Sequence, residues 1–266
     1  QNGDMLSLTS ERRFYRHSDR DTEAMFLNCL PATFNVQDIK AFYIDSSGKA
    51  HFVVNHFDEE KNRNQLWLHS TGGGQDEEVK SRKLAKARNI DRITAGAYDQ
   101  LNASYYLASG NRVYKLDSDR RLKFVTEVDG ARNILLMKFL DSSRDLLLLD
   151  DLGGNLYRLS MTDNQPRVQK LASGLARPIS MIADAAGQQI YVGESLQPRI
   201  KRFTCDATGC GTGVDLVTGG ALQLPTSLAL GKRDELWVAD PESNAILVYD
   251  EAGQLMEKID ERPSLH

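Results

Sequence analysis

Five polar residues each follow a short apolar run, and their side chains carry oxygen atoms that could bind a cation. The apolar runs are typical of buried β-strands, and the residues that end them are Asn55, Ser109, Asp150, Glu194 and Asp240. Hard cations such as Ca²⁺ take carboxylate and amide oxygens as ligands. One hypothesis is therefore a Ca²⁺ site formed by Asn55, Asp150, Glu194 and Asp240. The interpretation that we favour is that each residue caps its own strand–strand connection by accepting backbone N–H groups.

A second set consists of arginines that lie just before apolar runs. Its members are Arg88, Arg132, Arg177 and Arg262. Four guanidinium groups at related positions could bind a carboxylate, a phosphate or an acidic loop of a partner. The plainer interpretation, which we favour, is that each arginine pairs with an acidic residue of a neighbouring repeat. The anion site is the best specific hypothesis, and these four arginines are its candidate ligand-binding residues.

Two of the three cysteines lie close together in the sequence. Cys205 and Cys210 bracket the short segment DATG, which allows its ends to meet across a hairpin. We predict a local disulfide between them, which indicates an oxidising compartment and an extracytoplasmic, secreted or periplasmic protein. The alternative is two free thiols near a turn. Cys29 is interpreted as a small buried apolar residue.

The overall composition is that of a folded, water-exposed domain. Hydrophobic residues make up 41% and charged residues 26% of the 266 residues, and the net charge is −4. This acidic balance argues against a nucleic-acid partner whose affinity depends on neutralising phosphates. No apolar run approaches the ~18 residues of a membrane span. The first residues, QNGDMLSL, lack the features of a signal peptide, and the missing initiator methionine suggests a processed or excised chain.

The elements that would position these side chains recur along the chain. Six short segments of similar pattern are spaced by roughly 46 residues, as are the blades of a β-propeller with four strands per blade. They are predicted as third strands at residues 13–17, 65–69, 112–116, 155–159, 199–203 and 245–249.

This spacing predicts an all-β fold with one domain, a six-bladed propeller over residues 1–266. The predicted blades cover residues 1–36 together with 260–266, then 37–88, 89–131, 132–175, 176–221 and 222–259. The segment RPSLH at the C-terminus is similar to RPISM at residues 177–181. We expect this C-terminal segment to supply the first strand of the N-terminal blade, because closing the ring removes two exposed sheet edges.

Two segments carry a resemblance to NHL repeats: RPISMIADAAGQQIYVGESLQPRIKRF, and LPTSLALGKRDELWVADPESNAILVYD, whose turn departs from Asp-x-x-Gly. The resemblance covers residues 177–259 well and residues 37–172 more weakly. It implies a six-bladed propeller in a family that binds proteins, RNA or small ligands. An acidic residue after the second strand belongs to the repeat pattern. Related six-bladed propellers include metal-dependent lactonases, which use a similar Glu/Asn/Asp set, and a peptide amidating lyase.

No set of residues forms a recognisable catalytic motif, so the sequence favours a non-catalytic module over an enzyme. We expect a monomeric module that recognises a protein or a small anionic ligand at the loop end of its central channel. One alternative is a metal-dependent hydrolase, lactonase or lyase that uses the Ca²⁺ set above. Another is a sensor or scaffold domain of a larger protein.

Overall fold

The computed structural model describes most of the chain. The described residues are 38–44, 49–71, 80–88, 90–99, 102–117, 119, 121–140, 143, 145–161 and 165–260, together with the backbone of residues 5–8, 13–17 and 25–29. Within these residues, every regular element longer than one residue is a β-strand.

The strands form one three-stranded sheet and five four-stranded sheets. The N-terminal sheet consists of β1 (Met5–Leu8), β2 (Arg13–His17) and β3 (Met25–Cys29). Blade 1 consists of β4 (Ile39–Ile44), β5 (Ala50–Asp58), β6 (Arg63–Thr71) and β7 (Lys80–Arg88). Blade 2 consists of β8 (Ala95–Asp99), β9 (Ser104–Ser109), β10 (Arg112–Leu116) and β11 (Leu122–Glu127).

The remaining three blades follow the same plan. Blade 3 consists of β12 (Ile134–Phe139), β13 (Leu146–Asp150), β14 (Asn155–Ser160) and β15 (Arg167–Ala172). Blade 4 consists of β16 (Pro178–Ala183), β17 (Gln189–Glu194), β18 (Arg199–Thr204) and β19 (Val214–Thr218). Blade 5 consists of β20 (Ser227–Leu230), β21 (Leu236–Asp240), β22 (Ala245–Tyr249) and β23 (Leu255–Asp260).

The fold is an all-β propeller, but the prediction of six blades is wrong. Five sheets have four antiparallel strands that pair in chain order, whereas the N-terminal sheet has only β1, β2 and β3 among the described residues. The prediction relied on the C-terminal segment for a fourth strand, and residues 261–266 lie outside the described residues. All six segments predicted as third strands are β-strands, and five of them are the third strands of their blades, namely β6, β10, β14, β18 and β22. The other, β2, is the middle strand of the N-terminal sheet.

Burial along each blade explains why these residues form strands. Every residue of β13 is buried, as expected for an inner strand with a neighbour on each side and a sheet packed on each face. The outer strand β15 is exposed at three of its first four residues, and only Leu171 is buried. The apolar content of a strand thus falls from the inner strands to the edge of the blade.

Turns between first and second strands require a left-handed residue, which two blades supply differently. In blade 4, Gly187 adopts φ +69° and its N–H donates to the carbonyl of Asp184 at 3.1 Å. In blade 5, the sequence departs from Asp-x-x-Gly, and Asp234 adopts φ +61° instead. Aspartate is among the few non-glycine residues that tolerate this conformation, so the turn survives the change in sequence.

The chain divides into two compact units, Gln1–Asp129 and Gly130–His266. In the first unit, the core includes Val53, Leu66 and Leu107, and the first strands of blades 1 and 2 contact each other. In the second unit, the first strands of blades 3, 4 and 5 contact their neighbours in turn, with separate apolar clusters between successive blades. The prediction that all residues form a single domain remains a prediction. No helix of the described residues is long and apolar enough to cross a membrane.

Candidate functional site

Four of the five polar residues that the sequence singled out end their second strands, whereas Asn55 lies inside β5, and all five are buried. Their side chains differ in charge, but every one is at least nine-tenths shielded from water. A buried polar group must find hydrogen-bond partners, or it destabilises the fold. Those partners show what each residue does.

In blade 3, Asp150 joins the incoming loop of the blade to the turn after its own strand. Its Oδ1 accepts the N–H of Asn133, in the incoming loop, and the N–H of Gly153, in the following turn, both at 3.0 Å. Its Oδ2 accepts the side-chain amide of Asn155 at 3.1 Å. A side chain at Gly153 would collide with Asp150, so the glycine is required for this close approach. The carboxylate therefore acts as a cap that joins the incoming loop to the turn.

In blade 4, Glu194 has the same role and an additional cationic partner. Its Oε1 accepts the N–H of Ala176 at 2.9 Å, and its Oε2 accepts a hydrogen bond from Nε of Arg199. Glu194 and Arg199 lie directly opposite each other in the β17–β18 ladder. The bond to Glu194, followed by smaller contributions that include Asp215, raises the pKa of the Arg199 guanidinium. Glu194 is completely buried, so this pair holds its negative charge inside the blade.

In blade 5, Asp240 again binds backbone donors. Its Oδ2 accepts the N–H groups of Gln223 and Leu224 at 2.6 and 2.9 Å, and its Oδ1 accepts the N–H of Ser243 at 3.0 Å. The negative charge also affects a buried phenol. The pKa of Tyr249 is raised to about 12, first by burial and second by Asp240.

Blades 1 and 2 carry uncharged residues at this position. The side-chain amide of Asn55 donates to Oδ1 of Asn64 at 2.9 Å, and Asn64 in turn accepts the N–H of Ile93. Ser109 donates its hydroxyl to the carbonyl of Asp91 at 2.9 Å. Here the loops present carbonyl groups as well as N–H groups, and an amide or hydroxyl can serve both.

These contacts do not fit a Ca²⁺ centre built from the predicted set. In Asp150, Glu194 and Asp240, both carboxylate oxygens already face N–H donors, which would repel a cation. Of the four residues, only Asn55 has a buried oxygen without a hydrogen-bond partner. Within the described part of the chain, no three His, Cys, Asp or Glu side chains come together as a metal-binding group. The metal site therefore stays a prediction, to be tested by measuring metal binding directly.

The four predicted arginines fall in different environments. Arg132 and Arg177 are exposed in the incoming loops of blades 3 and 4, and neither guanidinium has an ion pair or a hydrogen bond to another described residue. Arg88 is the last residue of β7, and its side chain lies outside the described part. Arg262 lies outside the described residues altogether. Pairing with an acidic neighbour, the interpretation favoured from the sequence, is thus not observed for Arg132 or Arg177.

The predicted disulfide between Cys205 and Cys210 is confirmed, with the two cysteines also paired in a β-bridge. The loop that it closes rests on blade 3. Arg158 donates to the carbonyl of Asp206 at 2.9 Å, and Gln169 donates to the carbonyl of Thr208 at 2.6 Å. The disulfide therefore stabilises a contact between blades 3 and 4.

Sequence reasoning missed two features of this region. The first is the pairing of Glu194 with Arg199, which could have been found from their opposed positions across a four-residue turn. The second is a leucine at the tip of each second turn in blades 3 and 4. Leu152 and Leu196 are 56% and 70% exposed. An apolar residue in a turn gives no signal in the sequence that distinguishes an exposed position from a buried one.

Comparison with known proteins supports the propeller fold and names one family. A model of the family described as SMP-30/Gluconolactonase/LRE-like region matches residues 137–263, slightly less than half of the chain. No curated protein matches the chain. The family found is thus not the NHL family that the sequence resembled, and the NHL assignment is not confirmed.

Similar solved structures are propellers of low sequence identity. A catalytically inactive virginiamycin B lyase from Staphylococcus aureus, solved with quinupristin, has a TM-score of 0.61 at 14% identity, over 99% of this chain and 87% of the lyase. A gluconolactonase from Xanthomonas campestris has a TM-score of 0.58 at 12% identity, over 85% and 89% of the two chains. A chain of a nidogen/laminin complex has a TM-score of 0.63 at 15% identity, over 97% and 93%. At these identities the likeness concerns the fold alone.

Proposed function

We propose that this chain is a hydrolase- or lyase-type propeller related to the SMP-30/gluconolactonase group. The observation that carries the proposal is the family match over residues 137–263, which spans most of blade 3 and the whole of blades 4 and 5. The similar structures include a gluconolactonase and a lyase. The substrate class that we propose is a lactone or another ester.

The buried carboxylates have a supporting role in this proposal. Asp150, Glu194 and Asp240 tie the incoming loop of each blade to the turn after its second strand. Loops that are fixed in this way present their exposed side chains in a constant geometry, which substrate recognition requires. Any reacting group would then be carried by the loops, and no step is assigned to a metal held by these carboxylates.

The proposal is tested by a substrate screen with controlled metal content. The protein is stripped with EDTA, analysed for residual metals, and assayed on aldonolactones and simple esters with and without added Ca²⁺. Proton release reports hydrolysis, and the ultraviolet absorbance of a new double bond reports elimination. Turnover above that of the heat-unfolded protein is the expected result. Complete inactivity on every substrate, with and without metal, contradicts the proposal.

A matched pair of variants tests the metal hypothesis within the same screen. Asp240→Asn removes a buried carboxylate of the predicted Ca²⁺ set, whereas Asp234→Asn removes an exposed one from the same blade. Because Asp240 is saturated by N–H donors, we expect Ca²⁺ to change the melting temperature of wild type and both variants equally. Stabilisation by Ca²⁺ that is lost only in Asp240→Asn would establish the metal site.

The second candidate function is a non-catalytic binding module in an extracytoplasmic compartment. The specific observation in its favour is that every predicted metal-binding carboxylate is engaged inside its own blade, while Arg132 and Arg177 are exposed. The disulfide is consistent with an oxidising compartment, and one of the similar propellers is part of a nidogen/laminin complex. Inactivity in the screen, together with binding of a carboxylate ligand that depends on Arg132 and Arg177, would select this candidate.

A further inference from the structure

Two neighbouring blades each expose an arginine and a leucine at the same end. In blade 3 these are Arg132 in the incoming loop and Leu152 in the turn after β13. In blade 4 they are Arg177 in the incoming loop and Leu196 in the turn after β17. Because strands alternate in direction within a blade, the incoming loop and the second turn lie at one end of it. The first strands of blades 3 and 4 contact each other, which makes these loops neighbours.

Hydrogen bonds join the incoming loop to the second turn in each of these blades. In blade 4, the carbonyl of Arg177 accepts both the N–H and the hydroxyl of Ser195, at 3.1 and 3.0 Å, and the carbonyl of Ala176 accepts the N–H of Leu196 at 3.3 Å. In blade 3, the carbonyl of Asn133 accepts the N–H of Asp151 at 3.2 Å, and its side-chain amide donates to Asp151 at 2.7 Å. The residue of blade 3 in register with Arg177 is therefore Asn133, and Arg132 lies one residue earlier in the same loop.

The backbone of Arg177 shows that the arginine is present for its side chain. The residue has φ +55°, a left-handed conformation that glycine adopts freely and that arginine adopts at a cost. It also precedes Pro178, which restricts the preceding residue further. Glycine would meet the demand of the fold with less strain. An unfavourable residue at a strained position is a pointer to function.

This end also carries the exposed Asp129 in the incoming loop of blade 3, but no described carboxylate pairs with Arg132 or Arg177. Asp150 and Glu194 are fully buried and hydrogen-bonded, and Asp151 accepts the amide of Asn133. In blade 5, the position equivalent to Leu152 and Leu196 is Glu242, an exposed acid. Blade 5 thus carries an acid at the position where blades 3 and 4 carry the two leucines.

We propose that Arg132, Leu152, Arg177 and Leu196 form a docking surface for an acidic segment of a partner protein that also carries apolar side chains. The two guanidinium groups, which have no described partners, can bind carboxylates of the segment. The exposed leucines on adjacent turns can pack against its apolar side chains. A small ligand fits less well, because small-molecule sites are concave and enclose most of their ligand. The two leucines stand out from turn tips instead.

The test is a selection from a random peptide library displayed on phage, with immobilised wild-type protein as the target. Selected peptides are synthesised with a fluorophore and titrated by anisotropy. The expected peptides combine Asp or Glu with Leu, Ile or Phe. Arg177→Gly and Leu196→Ser are each expected to weaken binding by about tenfold or more, while Arg177→Gly keeps the melting temperature within about 3 °C of wild type.

Asn244→Gly is the matched control, since Asn244 also has positive φ, at +51°, but lies in the second turn of blade 5. Its peptide affinity should equal that of wild type. The proposal is overturned if no peptide is selected, if the selected peptides are basic, or if Arg177→Gly and Leu196→Ser bind them unchanged. Binding of octanoate to wild type and to Arg177→Gly is measured as well. Arg177-dependent binding of octanoate without any selected peptide would assign the surface to a small amphipathic anion and reject the protein partner.

Discussion

The polar residue that the sequence singled out on the second strand is a buried carboxylate in blades 3 to 5 and an uncharged amide or hydroxyl in blades 1 and 2. The carboxylates accept only N–H donors, mostly from the backbone of their own blade. Ser109 instead donates, to the carbonyl of Asp91. At Ser109 the position thus faces a loop that presents an acceptor, and at Asn55 it faces the side chain of Asn64.

This difference explains why the acidic residues are there. Where the incoming loop turns its N–H groups toward the strand, as in blade 5 at Gln223 and Leu224, a carboxylate can accept several of them at once. Where the loop presents a carbonyl, a carboxylate would face an acceptor, and a donor is required. The direction of the loop is sufficient to account for the charge, without a metal ion.

Removing the carboxylate of Glu194 should give the largest loss of stability. Glu194→Ala leaves the half-buried Arg199 without its main partner and the N–H of Ala176 unpaired. Breaking a buried pair from one side costs about 3 to 5 kcal/mol. We expect a value of about 3 kcal/mol, because Asp215 also contacts Arg199. Urea unfolding of wild type and variant measures the difference.

Two further variants test whether this loss is specific to the carboxylate-capped blades. Ser109→Ala in blade 2 removes one hydrogen bond and should cost only about 1 kcal/mol. Glu242→Ala, at an exposed turn of blade 5, should change the free energy of unfolding by less than about 0.5 kcal/mol. Equal losses for Glu194→Ala and Ser109→Ala would show that the two parts of the molecule do not differ as the contacts indicate.

Replacing the carboxylate of Asp150 with an amide of the same size should cause the next largest loss of stability. Asp150→Asn replaces one acceptor oxygen with an NH₂ group that must face a donor, either the N–H groups of Asn133 and Gly153 or the amide of Asn155. We expect a loss of about 2 kcal/mol in the free energy of unfolding. The reverse change, Asn55→Asp in blade 1, should also destabilise, because it places a charge opposite Oδ1 of Asn64. A neutral or stabilising effect of either substitution would contradict the polarity argument.

The positions of the strands could be predicted from the sequence more reliably than the number of blades. Apolar runs at a regular spacing identify third strands such as β14 and β18 directly. The prediction of six blades rested on six copies of the third-strand pattern and on the likeness of the C-terminal segment to RPISM, whereas the N-terminal sheet has three strands among the described residues. Local sequence carries strand propensity, whereas ring closure depends on contacts between distant residues.

The candidate site was only partly predictable for the same reason. The positions of Asp150, Glu194 and Asp240 follow from the repeat, and so did the favoured interpretation as caps. Whether an arginine such as Arg177 finds a partner depends on the fold of neighbouring loops. Its φ of +55° is likewise invisible in the sequence, because nothing in the residue type indicates a left-handed backbone.

Blade 1 contains a buried histidine, His69, and protonation of this histidine should reduce the stability of the fold in acid. Burial, with a smaller effect from His56, lowers the pKa of His69 from about 6.5 in the unfolded chain to about 4. Because the folded state favours the neutral ring, its contribution to stability is complete above about pH 6.5 and is lost as the pH falls toward 4. Between about pH 7 and 5, the free energy of unfolding of wild type should fall by about 1 to 2 kcal/mol more than that of His69→Gln.

Urea unfolding of both proteins at each pH gives this double difference, and the ring resonances of His69 in an NMR titration locate the pKa directly. The variant also alters the contact of Nδ1 with Ser81, which affects both pH values alike and cancels in the difference. An equal acid-induced loss in both proteins would rule out His69 as its source.

The smallest effect should come from Tyr249, whose ionisation reports the charge on Asp240. Tyr249→Phe removes a buried hydroxyl that has no hydrogen-bond partner in the described structure. The free energy of unfolding near neutral pH should therefore change by less than about 0.5 kcal/mol. The pKa of Tyr249, raised to about 12 by burial and then by Asp240, lies above its unfolded value of about 10. Wild type should therefore lose stability relative to the variant as the pH rises from about 10 to 12. In Asp240→Asn the pKa of Tyr249, followed by tyrosinate absorbance, should fall. A value that does not move would mean that Asp240 does not act on Tyr249, and the contrast between the two groups of blades would then be one of hydrogen bonding alone.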